Sequence, residues 1–510
     1  VLDLCVARRV ALLNDEDVRA LCDSSNPIVI VSVRRPSELA SDAIHPGIEQ
    51  IGLLLPTSFL HYQILEDAGR PLVCTSGNKE GEAIEAVPKQ AMTRLADVAD
   101  VWVHHDREIV QSIDDSVVRV MAGRQATLRL GRGFAPLPLP FGEFCESALA
   151  AGGQMKSAVA WHNGRQACLG PHLGDLDSVI VAERFDDTIQ HFQRLYRSTP
   201  AVVAVDHHPD YLSRRLVSDD SVQIESVQHH HAHVIASAIE AGLLHRDVLG
   251  VAWDGTGLGD DDSIWGGEIL LASPLRYERL ASLRPFPLPG GDRAVEEPWR
   301  IALAMMLDVG DFPRSRIAER FDEPTIQSLS WVIQQRSFSP WTTSIGRLFD
   351  AISWMLLGDE VVGFDGRPGM LLESLADRWE MGDFPFPLDE ASKVARFDWR
   401  PLVLAMSDGQ QSGLRPTTLA GRFHRTLARA IIRVSDRWPE LPVVLSGGVF
   451  QNKLLVEMIS DEWNDRPGRP TLVTPGIIPC NDGGLAAGQL AVALSRVTSR
   501  HRSGEYRKCV

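Results

Sequence analysis

Four histidines stand within five residues in VQHHHAHVIASAIEAGLL. His229 and His233 are four positions apart, and the segment that follows has helical spacing, so their two imidazoles fall on one face. Asp254 ends the apolar run VLGVAWD, and Asp482 stands in PCNDGGLAAG near the far end of the chain. Two imidazoles and two carboxylates form a nitrogen and oxygen donor set suited to iron, zinc or manganese, with positions left for substrate. An HxxxH alone also reads as a polar helix start, and spacing leaves the convergence of these four side chains open. Two glycine segments could serve a nucleotide. LSGGVFQNKLL places Gly447 and Gly448 between a strand and a helix, and DGTGLGDD offers a second turn through Gly255, Thr256, Gly257 and Gly259. Glycines let a backbone approach a phosphate or ribose, and a helix start supplies free amides. Neither segment has P-loop or Rossmann spacing, and each alone reads equally as a tight turn. Lys156, just after the diglycine of GGQMKSAVA, could meet a phosphate or a carbonyl oxygen, or simply face solvent.

Strands must carry these residues. AVVAVDHHPD, VLGVAWDGTG and LPVVLSGGVFQNKLL each set a buried strand before a polar or glycine turn, a pattern that puts ligands at the carboxyl ends of strands in an α/β sheet. TTLAGRFHRTLARAIIRVSDRW has helical apolar spacing and reads as a packing helix. The alternating prolines Pro136, Pro138 and Pro140 predict an extended connector over 137–147. Ahead of it, over 1–136, the β-like runs IVIVSV, IGLLLP, PLVCTSG, VVRVMAG and TLRLGRG alternate with helical segments, as in an α/β unit. The part over 148–495 is long enough for two lobes around a cleft, and the basic residues within 496–510 predict a solvated tail.

Composition limits the possible functions. The 510 residues suggest two to four domains, and 44% hydrophobic with 23% charged residues is ordinary for globular proteins. A net charge of −16 argues against a general nucleic-acid binder. No apolar run reaches the roughly 18–20 residues of a membrane helix, and the opening VLDLCVARRVALLNDED does not read as a signal peptide. The seven cysteines, at 5, 22, 74, 145, 168, 480 and 509, form no CxxC pair, which predicts reduced thiols in a cytoplasmic protein. The chain opens on Val1, consistent with an alternative start codon or with a piece of a longer chain.

In order, GGQMKSAVA, PHLGDLDS, VDHHPDYLSRR, VQHHHAHVIAS, VAWDGTGLGDDDSIWGGEIL, SIGRLFDAISWMLLG, LSGGVFQNKLL and PCNDGGLAAGQ resemble the HypF carbamoyltransferase family of [NiFe]-hydrogenase maturation. HPGIEQIGLLLPTSFLHYQIL, LVCTSGNKEGEAI, HHDREIVQSIDDSVVRV and RLGRGFAP resemble that family's YrdC-like domain. The resemblance implies an α/β fold in which a YrdC-like, adenylate-forming domain precedes a bilobal actin-like ATPase-fold domain of the TsaD type. It implies His229, His233, Asp254 and Asp482 as metal ligands, and Gly346, Asp350, Gly447, Gly448 and Asn452 around adenosine and ribose. Ser76 and Asn78 fall on the Ser-x-Asn signature of the YrdC-like domain, with Arg119, Arg129 and Arg132 available for phosphates. The family's complete protein begins with an acylphosphatase part and paired CxxC zinc modules, both missing from this sequence, and the start of the YrdC-like domain with its Lys-x-Arg element would lie upstream of Val1. FDGRPGMLLE departs from the family pattern at Arg367, Pro368 and Gly369.

The activity so implied is ATP-dependent formation of carbamoyl-adenylate from carbamoyl phosphate or carbamate. The carbamoyl group then passes to the C-terminal cysteine of a HypE-like acceptor. The cofactors would be ATP, accompanied by Mg²⁺, and one divalent ion, iron or zinc. Three rival functions are a small-molecule O-carbamoyltransferase, a tRNA threonylcarbamoyl enzyme and an inactive nucleotide-binding remnant. The first carries its two domain kinds in the opposite order, and the second fits poorly with the acidic charge and the WDGTG and GRLFDA strings.

Overall fold

A computed structural model describes every residue except 37, 38, 40, 80, 145, 218–221, 359–361 and 504–510. Cys145, Cys509 and the end of the basic segment lie outside the described residues. Cys5, Cys22, Cys74, Cys168 and Cys480 are not joined in disulfides. The chain divides into two compact units, one formed by 1–227 with the segment from Gly476 onward, the other by Gln228–Pro475.

The first unit holds two sheets. In the first, Ile28–Val33 alternates so that Val29, Val31 and Val33 are buried, and Ala7, Val10, Leu21 and Val118 join Val29 and Val31 in one core. Strand Ile28–Val33 pairs antiparallel with Gln50–Leu53 and parallel with Val117–Met121, which turns back into Arg124–Arg129. Helix Asp15–Leu21 packs here, started by a reciprocal capping box between Asn14 and Asp17. The second sheet runs Gln223–Val227, Val202–Asp206, Ala148–Ala150, Ala160–His162, Ala167–Leu169, with Leu137–Leu139 on its edge. Its first three strands are parallel and the others antiparallel. Helix Val179–Tyr196 buries Phe185 and Phe192 against Trp161, Val203 and Val205.

The second unit repeats that strand order. Arg276–Leu283, Ile264–Ser273 and Val248–Leu258 are antiparallel neighbours, and Val248–Leu258 continues in parallel to Val443–Ser446 and Leu472–Val473. The recurrence of this strand order in both units is the repeated topology of the actin-like ATPase fold. The helix expected around TTLAGRFHRTLARAIIRVSDRW runs Pro416–Ser435 and buries Phe423, Leu427 and Ile431. No helix among the described residues is long and apolar enough to cross a membrane.

Four local expectations differ from the structure. PLVCTSG is irregular rather than a strand: Val73 and its neighbours stay exposed, and no partner strand covers them among the described residues. The start of the proline connector is instead edge strand Leu137–Leu139, antiparallel to Ala167–Leu169. Pro138 fits there because an edge strand needs hydrogen bonds on one side only. DGTG is not a free turn. It lies within Val248–Leu258 where the register shifts between Trp253 and Gly257, and the hairpin turns only at Gly259–Ser263. The basic segment is helical through Ser503, with Arg496 donating to the Ser226 carbonyl at 2.9 Å and Arg500 paired with Glu225. Arg367 and Pro368 open helix Arg367–Leu375, where a proline in the first turn costs no hydrogen bond.

Candidate metal and nucleotide site

Helix His229–Glu240 starts at Gln228, whose side-chain oxygen accepts from the His231 amide at 2.8 Å. Every residue from His229 to Ile239 is buried, and the helix lies directly on strand Val248–Leu258. A Cβ on Gly250 would sit 2.3 Å from Val234 Cγ2, so glycine is what permits this approach. His231 turns away to the Ser273 carbonyl, 2.7 Å off. Burial, with His229 nearby, holds His230 neutral by lowering its pKa well below the ordinary histidine value.

His229 Nε2 and His233 Nε2 stand 3.2 Å apart. Asp254 Oδ2 is 3.0 Å from His233 Nε2 and 3.5 Å from His229 Nε2. Ligands at about 2.0–2.2 Å around a tetrahedral ion lie roughly 3.4 Å from one another, so these three donors already have the separations a divalent cation requires. Burial alone would raise the Asp254 pKa. His233, with His229 beside it, outweighs burial and holds the carboxyl well below the usual carboxylate range. The donors are therefore an anionic oxygen and two imidazole nitrogens on rigid elements, and they fit a metal.

The other oxygen of Asp254 faces the glycine segments. Oδ1 accepts from the Gly255 amide at 2.8 Å and from the Gly448 amide at 3.0 Å. One carboxylate thus joins the histidine pair to both glycine loops. The glycines themselves admit protein backbone. A Cβ on Gly447, at φ +99°, would lie 2.2 Å from the Trp253 carbonyl oxygen, and one on Gly346 would lie 2.9 Å from Gly255 Cα. A Cβ on Gly257 would strike His230 and His229 at 2.6 and 2.7 Å. Thr256 lies in the same bulge. Asn452 caps helix Lys453–Asn464.

Several participants went unnoticed in the sequence. Ser446 donates to the His233 carbonyl at 2.6 Å and accepts from Ser237 at 2.9 Å, clipping the histidine helix to the strand ahead of the glycine turn. Ser344 donates to the Asp254 carbonyl at 2.7 Å and caps helix Ile345–Leu357, which carries Gly346 and Asp350. A serine one residue before an apolar helical run was the available signal. Arg347 Nη1 is 3.0 Å from Asp350 Oδ2, and its guanidinium lies against Gly255.

Burial pushes the Asp350 pKa up to about 6 despite the pull of Arg347, with Asp365 adding to the rise. A carboxyl with a raised folded pKa binds its proton more tightly in the native state. Its contribution to stability therefore falls as pH rises from about 4 through about 6. Asp350→Asn removes that slope. Between pH 4 and pH 8, thermal denaturation should shift in the variant's favour relative to wild type by up to about 3 kcal/mol. Parallel pH profiles for the two proteins would contradict this account of burial.

The first unit holds the remaining positions. Gly152 is locked by Gln489, which accepts from its amide at 2.9 Å and donates to its carbonyl at 3.2 Å. A Cβ on Gly153 would meet Asp482 Oδ2 at 3.3 Å. Asp482 opens a short 3₁₀ turn capped by Asn481, ahead of helix Leu485–Ser503. Lys156 takes a left-handed backbone, φ +47°, and its amide donates to Asp175 at 2.6 Å. Burial pushes the nearby His172 down to about 4, opposed by Asp114 and assisted by Arg129, Arg184 and Lys156. Arg119 is buried in strand Val117–Met121, and Arg129 Nε donates to the Asp115 carbonyl at 2.9 Å. Arg132 is committed to structure, bonding Asp115 at 2.7 Å and the carbonyls of Ser25 and Asn26 at 2.9 Å each. Ser76 is exposed, and Asn78 donates back to Lys79 and Glu82 in its own loop.

Comparison with known proteins agrees with this architecture. Residues 144–240 match the family described as the HypF Kae1-like domain, and 250–489 match the second subdomain of the carbamoyltransferase Kae1-like domain. Residues 3–131 match the Sua5/YciO/YrdC family, described as telomere recombination. A carbamoyltransferase HypF of Synechocystis is 34% identical over 96% of this chain and 65% of its own length. HypF2 of Cupriavidus necator is 33% identical over 97% of this chain and 67% of its own, and a HypF homolog of the same organism 32% over 71% and 95%. Among solved structures, full-length HypF in a phosphate- and nucleotide-bound form superposes with a TM-score of 0.91. It is 30% identical over 97% of this chain and 78% of that one. HypF of T. kodakarensis gives a TM-score of 0.88 at 27% identity, over 98% and 66%. The chain thus spans about two thirds of the length of the Synechocystis relative. With the same domain order, the same actin-like topology and this degree of identity, the chain belongs to the HypF carbamoyltransferase family.

Proposed function

We propose that this protein is an ATP-dependent carbamoyltransferase of the cytoplasm. It would form carbamoyl-adenylate and pyrophosphate from ATP and carbamate, the carbamate arising from carbamoyl phosphate by hydrolytic loss of inorganic phosphate, then pass the carbamoyl group to the C-terminal cysteine of a HypE-like acceptor in [NiFe]-hydrogenase maturation. The observation that carries this reading is Asp254, with one oxygen toward two imidazoles and the other on the amides of both glycine loops. Such an arrangement sets the histidine pair beside the glycine loops, so that the carbonyl of an acyl-phosphate-type ester held along those loops would face the imidazoles.

His229, His233 and Asp254 would hold a divalent ion, iron or zinc, with Asp482 as the fourth ligand. When bound, that ion polarises the carbamoyl carbonyl and stabilises developing oxyanion charge, a contribution of several kcal/mol. Gly346, Asp350, Gly447, Gly448 and Asn452 would take the adenosine and ribose, with the segment Gly255–Gly257 near the phosphate. Lys156 would neutralise a phosphate or the carbamoyl oxygen. In the transfer, the acceptor's thiolate forms a C–S bond to the carbamoyl carbon while the C–O bond to AMP breaks. AMP leaves as the anion, and the thiol proton goes to solvent. The step needs no cysteine of this chain. Ser76, Asn78, Arg119 and Arg129 would serve adenylate formation, with Mg²⁺ accompanying ATP. Arg132 would act there by holding its loop.

ATP–pyrophosphate exchange, measured with and without carbamoyl phosphate or carbamate, tests adenylation. Exchange should appear only with the carbamoyl source. Transfer of labelled carbamoyl to a HypE-like protein, an aminoglycoside or tRNA then identifies the acceptor, and label on either of the last two would overturn the protein-acceptor reading.

A further inference from the structure

Helix Pro416–Ser435 carries His424, which is fully buried. His424 Nδ1 lies 2.8 Å from the Ala420 carbonyl oxygen. A carbonyl only accepts, so Nδ1 carries the hydrogen. Burial keeps the ring neutral, and Nε2 is then a lone-pair acceptor. Asn452 Nδ2 is 3.0 Å from that nitrogen and donates to it. Asn452 Oδ1 in turn accepts from the Leu455 amide at 2.9 Å, as the cap of helix Lys453–Asn464. The three assignments are mutually consistent and fix one orientation. Flipping the amide would set oxygen against a lone pair and NH₂ against an N–H, losing both bonds. Phe349 and Phe423 hold the imidazole edgewise, with centroids 5.5 and 5.9 Å from it, and Phe349 adjoins Asp350.

We propose that His424 is a positioning residue for the nucleotide, because it locks the Asn452 amide so that the second Nδ2 hydrogen is presented to an oxygen of the bound nucleotide. This rests on the reading of Asn452 as part of the nucleotide site. His424 itself stays out of contact with the ligand. It acts by choosing which of two nearly isosteric amide orientations the half-buried Asn452 adopts. An oxygen-outward amide would repel a phosphate or an accepting ribose oxygen, and a nitrogen-outward amide binds it.

The test is a double-mutant cycle on the full chain, with ADP affinity read by calorimetry. Asn452→Ser keeps a helix-capping oxygen but removes the amide N–H, and should weaken ADP about tenfold. His424→Phe should weaken it by a similar factor, and the double variant should bind no worse than Asn452→Ser alone. A purely structural histidine would lower the melting temperature and leave the two effects independent. If Asn452→Ser binds ADP as wild type does, the nucleotide-site reading fails. If Asn452→Ser weakens binding while His424→Phe does not, or if the two factors multiply in the double variant, the positioning role is overturned. Should His424→Phe not fold, His424→Leu, which also lacks an acceptor, is carried through the same cycle under the same criteria.

Discussion

Asp254→Ala should abolish both the proposed metal binding and the proposed carbamoyl transfer, the largest loss expected of any single substitution in this protein. The change removes the anionic donor that stands beside His229 and His233. It also strips the Gly255 and Gly448 amides of their shared acceptor. A buried amide left without a partner costs about 1–3 kcal/mol, so the glycine loops should loosen along with the loss of the ion. Metal content after dialysis should fall at least about 100-fold in affinity terms, and nucleotide affinity should fall even in metal-free protein. Asp254→Asn separates the two roles. Its amide oxygen can still serve the two backbone amides, so metal should be lost while metal-free nucleotide binding is largely kept. His229→Ala should lose metal and transfer without disturbing the glycine amides. By contrast, Ser in place of the exposed Cys5, Cys22 or Cys74 should leave transfer unchanged. Full transfer with stoichiometric metal in His229→Ala would sink the assignment of this centre.

Gly447→Ala should be nearly as damaging, through sterics instead of charge. At φ +99° an L-residue is strained, and its Cβ would lie 2.2 Å from the Trp253 carbonyl oxygen, far inside contact distance. The obstruction is backbone of the central strand, so nothing flexible can yield. Either the turn moves away from Asp254 or the strand does, and in both cases the Gly448 amide leaves its acceptor. Gly468→Ala is the control, because it shares a positive φ, +83°, but meets nothing within 4 Å. That control should lose about 1 kcal/mol, the backbone term alone. Gly447→Ala should lose several times as much stability and bind nucleotide poorly, with melting temperature and calorimetry as readouts. Equal losses in the two variants would refute the steric account.

Much of the fold was legible because its signals are local. The strands Val202–Asp206, Val248–Leu258 and Val443–Ser446 announce themselves as short apolar runs ending in polar or glycine residues. Helix Pro416–Ser435 shows its apolar periodicity over five turns. PLVCTSG misleads because β-branched and apolar residues favour a strand only where a partner offers hydrogen bonds and cover. LPLP misleads in the opposite sense, since proline is compatible with an edge strand once a neighbour such as Ala167–Leu169 lies on the correct side. In each case the outcome depended on a segment far away in sequence.

The sequence by itself determined the four-residue spacing of His229 and His233, the strand that delivers Asp254 and the glycine turn ahead of Asn452, since 3.6- and 2-residue periodicities are written in the order of side chains. Tertiary structure alone decided that Asp254 divides its two oxygens between imidazoles and backbone amides. It also showed that Gly346 and Gly447 make room for protein backbone, and that the Asn452 amide lies between His424 and the Leu455 amide. Those facts arise from packing between elements as much as about 200 residues apart, where burial strengthens each charge and hydrogen bond and no local pattern records the encounter.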